Sequence, residues 1–107
     1  MKTSELCQAC GFEILNMAQD REITGCYMGD LLSWVMGRAK AGSIWITIMT
    51  NINVMAVAVL ADVACVLIPE NCEIPPETLA KAQDQEVTLL RAPLPAYECA
   101  CQIARYI

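Results

Sequence analysis

The chain has 107 residues, enough for a single domain (residues 1–107) around one core. It is 56% hydrophobic and only 18% charged, with a net charge of −5 and no histidine. An acidic surface repels phosphate backbones, which argues against nucleic acid as a partner, and the lack of imidazole removes the Ser/His and Cys/His hydrolase chemistries. A chain this short cannot bury so much apolar surface within one copy, so a homo-oligomer, most simply a homodimer, is expected. Seven cysteines, an odd number, with no secretory apolar segment after Met1-Lys2-Thr3-Ser4-Glu5, point to reduced thiols and a cytoplasmic location rather than a disulfide framework.

In chain order, Thr3 or Ser4 caps a short helix that runs to Cys10 and stops at Gly11. Phe12–Met17 reads as a strand, Ala18–Glu22 as a polar turn and Ile23–Met28 as a second extended piece. Gly29-Asp30 opens a helix whose apolar stripe is Leu31, Leu32, Val35, Met36 and Ala39, ended by Gly42. Ile44–Met49 reads as a central strand. Asn53–Ala61 is a helix apolar on nearly every side, which marks burial in a core or a subunit interface. Ala64–Ile68 is a buried strand, and after the prolines Pro69 and Pro75, Pro76 suits the first turn of a helix with Glu77 and Lys81 paired on its wet face. Val87–Leu90 is a last strand. Pro93 and Pro95 mark a turn into a closing amphipathic helix, Ala96–Ile107, with inner stripe Ala96, Ala100, Ile103 and Ile107. Alternating strands and helices with short connections predict βα units and a mostly parallel sheet.

The uncharged run Ala41–Ala61 is long enough to raise a membrane span. Thr47, Thr50, Asn51 and Asn53 lie in its middle, and the β-branched run Ile44–Ile48 reads as a strand, so no span is expected. Buried parallel strands produce the same near-continuous apolar runs.

Asp20-Arg21-Glu22-Ile23-Thr24-Gly25-Cys26-Tyr27, followed by Gly29-Asp30-Leu31-Leu32-Ser33, resembles the DRTGG domain family. Gly42–Thr47, Asn53–Ala58 and Ala92-Pro93-Leu94 are similar to its central strand, central helix and last turn, so the resemblance spans essentially the whole chain. Cys26 departs from the motif at its second glycine, and Asn51 stands where related small proteins often carry histidine. The resemblance implies a Rossmann-like three-layer α/β unit with a mostly parallel sheet of four to five strands, similar to the N-terminal domains of HPr kinase/phosphorylase and MurF. It also implies a regulatory module. Such domains accompany CBS pairs and phosphate acetyltransferases, and stand-alone members occur in anaerobic bacteria near iron-hydrogenase genes.

A P-loop is absent. Gly37 and Gly42 have its spacing, but Ser43 stands where lysine is required and the segment runs from helix to strand. No catalytic constellation and no cofactor are therefore expected. Ligands of open α/β sheets sit beyond the C-terminal strand ends at helix starts. Two such turns are visible, Tyr27–Asp30 and Thr50–Asn53, with Ser33 and Thr47 nearby. Asp30, Ser33, Thr47, Thr50, Asn51 and Asn53 are the candidate ligand-binding residues, while Asp30 and Asn53 also suit plain N-caps. Asp20, Arg21, Thr24, Gly25 and Tyr27 form a motif that is structural or ligand-facing, with a turn and an ion pair at Asp20-Arg21 the simpler role.

Cys7-x2-Cys10 and Cys99-x-Cys101 are the only close thiol pairs, and a metal or redox site drawn from these four is the weaker alternative to buried packing. The expected function is a non-catalytic, homo-oligomeric regulatory module that senses a small polar or nucleotide-like ligand or docks on a partner enzyme. Through the resemblance it is linked to hydrogenase or central energy metabolism. A scaffold without ligand is the alternative.

Overall fold

The computed structural model describes all 107 residues. Five helices and five strands follow one another, alternating from β2 onward: α1 (Thr3–Cys10), β1 (Glu13–Asn16), β2 (Gly25–Met28), α2 (Leu32–Arg38), β3 (Ser43–Ile46), α3 (Asn53–Ala61), β4 (Cys65–Ile68), α4 (Pro76–Asp84), β5 (Leu89–Arg91) and α5 (Ala96–Ala104). The strands form one sheet in the order β1-β5-β4-β3-β2. β2, β3, β4 and β5 pair in parallel, and only β1 runs antiparallel, against β5. The fold is a Rossmann-like α/β unit with a mostly parallel sheet. No helix is long and apolar enough to cross a membrane.

Every residue of β3 and of β4 is buried. Successive side chains point to opposite faces, so the core splits in two. Ile44, Ile46, Cys65 and Leu67 pack with Leu6 of α1 and Cys99 and Ile103 of α5. Trp45, Val66 and Ile68 pack with Val35 of α2, Val54 and Met55 of α3 and Ala82 of α4. The layers are therefore α1 and α5, the sheet, then α2, α3 and α4.

Local signals set several boundaries. Gly11 adopts φ 75° and its N–H donates to Cys7 O at 2.8 Å, the left-handed stop that ends α1. Pro76 occupies the first turn of α4. Other expectations are corrected. The interior strand expected over Ile44–Met49 is β3, which ends already at Ile46, and the middle position of the five falls to β4. α2 is shorter than its apolar stripe: Val35 is buried and Leu32 and Ala39 pack partly against the core, while Leu31 and Met36 are exposed. α5 ends at Ala104 and leaves Ile107 exposed, while buried Cys99 joins its inner face. Glu77 and Lys81 are not among the three ion pairs, which join the N-terminal amine to Glu22, Arg21 to Asp62 and Arg91 to Glu13. Neither Thr3 nor Ser4 caps α1, whose N-cap is Lys2.

Gly42, with φ 81°, closes the turn into β3 where the chain passes hard against Thr24, and a Cβ built there would lie 2.6 Å from Thr24 Oγ1. Gly37 lies inside α2 with nothing within 4 Å of such an atom. Gly42→Ala is expected to destabilise the protein by about 1–3 kcal/mol, and Gly37→Ala to stabilise it by about 0.5–1 kcal/mol. Urea unfolding of the two variants beside the wild type checks both signs.

Candidate functional site

The two ends of the sheet differ in character. At the N-terminal end of the parallel strands the motif residues are spent on hydrogen bonds within the protein. Asp20 accepts the backbone N–H of Ser4 at 2.9 Å and the Ser4 hydroxyl at 2.5 Å, so it caps the start of α1 from outside that helix. Both bonds hold its carboxyl below the usual carboxylate value, the hydroxyl contributing most. Thr3 donates its N–H and its hydroxyl to Arg21 O. The Arg21 guanidinium donates to Asp62 at 2.9 Å and to Val63 O at 3.1 Å, tying the motif to the end of α3. Thr24 donates its hydroxyl to Ala41 O and its N–H to Gly42 O. Gly25 begins β2 beside Ser43, and Tyr27 packs against the α2–α4 side of the core.

At the opposite end, a cleft of about 390 Å³ is lined by Met28, Gly29 and Asp30 after β2, Ile46, Thr47 and Ile48 at the end of β3, Pro69 and Glu70 after β4, and Ala96 at the start of α5. This is the edge where ligands of open α/β sheets bind. Helices α2, α3 and α4 cover one face and α1 and α5 the other, and the start of α5 reaches the cleft at Ala96. Asp30 lines the cleft. It does not cap α2, whose N-cap is Leu31. Its Oδ1 instead accepts the Thr47 hydroxyl at 2.8 Å and the Ile48 N–H at 2.9 Å, which locks the β2–α2 turn onto β3. Trp45, fully buried, donates its ring N–H to Gly29 O at 2.9 Å and fixes the same turn from below. Glu70 and Asn71 both take left-handed backbone, φ 61° and 52°. Strain of this kind at non-glycine residues concentrates at functional loops, and here it is held by Glu70 N–H to Leu94 O and Asn71 N–H to Ala92 O, each 2.8 Å.

Of the expected ligand-binding residues, Asp30 and Thr47 meet in this cleft. Thr50, Asn51 and Asn53 belong to the neighbouring β3–α3 turn. There Asn51 Oδ1 accepts the Asn53 N–H at 3.0 Å, so Asn51 rather than Asn53 serves the helix start, and Thr50 O accepts the Thr78 hydroxyl at 2.7 Å. Ser33 is exposed on α2 and does not line the cleft. Glu70 and Ala96 escaped the sequence reading, because nothing local links Pro69-Glu70-Asn71 to the turn after β2.

Cys7 and Cys99 are buried in the α1/α5 side of the core with Cys10 packed against it, while Cys101 is exposed on α5. Burial pushes the Cys7 and Cys99 thiols up to about 11 and raises Cys10 as well. Thiols so raised stay protonated near neutral pH and behave as small apolar side chains. No group of three or more Cys, Asp, Glu or His side chains is placed to hold a metal ion.

By sequence, neither a family model nor a curated protein matches the chain. By structure, it is similar to the CBS and DRTGG domains of the regulatory region of a Clostridium perfringens pyrophosphatase, solved in complex with that protein's activator, diadenosine tetraphosphate. The TM-score is 0.73 at 11% identity, over 94% of this chain and 45% of that one. The chain thus spans about half the length of that regulatory region and shares its fold.

The Asp20 cap carries a pH signature. A carboxyl held low in the folded state contributes stability that is fully present above its unfolded value, about 3.9, and is lost as pH falls through the folded value. Asp20→Ala is expected to cost about 0.5–2 kcal/mol at pH 7, as loss of a helix cap does. The gap between variant and wild type should close below about pH 4, which urea titrations from pH 7 to pH 2.5 would follow.

Proposed function

We propose that the chain is a non-catalytic regulatory module of the DRTGG type that senses a small polar ligand in the cleft at the C-terminal strand ends. The observation that carries this reading is the cleft itself, built from four segments that converge only in the folded chain and lined by Asp30 and Thr47. A pocket of this size with apolar walls and a few convergent polar groups is the usual form of a small-molecule site. The fold shared with a pyrophosphatase regulatory region supports a regulatory role. The Asp20-Arg21 motif, in this reading, is the fold's fastener rather than its binding surface.

The ligand class follows from the groups around the cleft. Asp30 retains an oxygen that makes no hydrogen bond, and Glu70 makes neither a side-chain hydrogen bond nor an ion pair. No lysine or arginine lines the cleft. Carboxylates accept and do not donate, so the favoured ligand presents hydroxyl or amine donors, as a nucleoside ribose does, and keeps any phosphates outside. Binding would report to a partner enzyme through the β2–α2 and β4–α4 loops, in a cytoplasmic homo-oligomer. The setting implied by the resemblance is hydrogenase or central energy metabolism in an anaerobe.

A scaffold without ligand is favoured by one specific observation: every buried side-chain nitrogen and oxygen already has a hydrogen-bond partner within the protein. Thermal shift separates the two readings. Screened against nucleosides, nucleotides and acyl phosphates, a ligand at a hundredfold excess over its Kd should stabilise the protein by about 2.7 kcal/mol. Asp30→Asn and Glu70→Gln should each weaken that ligand. The absence of any shift across nucleosides and nucleotides would leave the scaffold.

A further inference from the structure

We propose that β2 is the pairing edge of a two-fold dimer, set antiparallel against β2 of a second copy so that the sheet continues from one protomer into the other. The assignment rests on the self-association proposed above and names its surface. The two edges of the sheet are not alike. β1 carries a register shift between Ile14 and Asn16, an irregularity of the kind that blunts an edge. β2 pairs with β3 in unbroken register through all four residues, contains no proline, and leaves its outer side without a neighbour strand. A regular edge of this kind is a template for another strand.

The side chains beside that edge are apolar. Cys26 and Met28 from β2, with Ala100, Ile103, Ala104 and Ile107 from α5 and the tail, line an open groove of about 330 Å³. Met28 is 51% and Ile107 49% exposed. A second copy laid on this edge would cover both.

Charge selects the occupant and the direction. A groove along the first half of β2, lined by Thr24, Gly25, Cys26 and Tyr27, also holds Arg38 and Lys40. Neither cation forms an ion pair, and Arg38 lies over the Trp34 ring at 3.7 Å. Asp30, just past the far end of β2, also lacks a basic partner. Basic groups thus sit at the start of β2 and the acidic Asp30 at its end. Antiparallel apposition brings the start of one copy to the end of the other, so each Arg38 and Lys40 meets the partner copy's acidic end, and the match occurs twice by symmetry. Parallel apposition would set like charges together. The outer face of α3, where Val59 and Leu60 are exposed, offers apolar area without such a pattern.

Sedimentation equilibrium of the full chain tests the assignment, with hydrogen exchange as a second readout. The wild type should dimerise, with slowed exchange at β2 amides as concentration rises. Met28→Lys and Lys40→Glu should each raise the dimer Kd about tenfold or more, since two symmetric contacts are lost together. Leu60→Glu should leave the dimer unchanged. A dimer broken by Leu60→Glu and indifferent to Met28→Lys would overturn the β2 surface while keeping self-association. A monomer at all concentrations would overturn both.

Discussion

Burial of β3 and β4 on both faces is the constraint from which the rest of the structure follows. Ile44, Trp45, Ile46, Val66, Leu67 and Ile68 are all essentially removed from water, and each large side chain so buried contributes about 1.5–3 kcal/mol. Two adjacent strands with no wet face require helices above and below. Parallel pairing requires that the connections cross over, and each crossover here is a helix. That arrangement collects α2, α3 and α4 on one side and leaves α1 and α5 to cover the other. It also gathers the strand-to-helix turns that follow the parallel strands at one end of the sheet and the helix-to-strand turns between those strands at the other.

The two ends then divide the work. At the helix-to-strand end, Asp20, Arg21, Thr24 and Asp62 form a closed set of hydrogen bonds that joins α1, the chain before β2 and the end of α3. It is a fastening. Asp62, in left-handed backbone at φ 55°, terminates α3 and receives Arg21 in the same stroke. At the strand-to-helix end, the polar groups are fewer and face a cleft. Asp30 holds two loops together with one oxygen and keeps the other free, and Glu70 sits on strained backbone at the rim. The proposed ligand-sensing role would draw on this contrast between a rigid frame and a small number of groups whose partners can change.

Much of this was legible in the residues. The limits of α3, the stop at Gly11 and the proline start of α4 depend on neighbours within a few positions, and they fall where local preference places them. The candidate site was legible in part. Asp30 and Thr47 were picked out because a strand-to-helix turn is recognisable on its own. Glu70 and Ala96 were not, because they reach the cleft only when β4 lies beside β3 and α5 returns across the opposite face. The same distinction explains Leu31, Met36 and Ile107. Periodicity says which side of a helix is apolar, but not whether anything lies against it.

The sequence by itself determined the class of fold, the alternation of elements and the identity of the buried strands, since these rest on local periodicity and turn chemistry. Only the tertiary structure decided that β4 is the middle strand, that Asp20 caps a helix sixteen residues away from it in sequence, that Asp30 bridges rather than caps, and that β2 ends as a bare edge. Each of these depends on which segments become neighbours across long stretches of chain. That choice is made by the joint packing of both faces of the sheet and is written in no single segment.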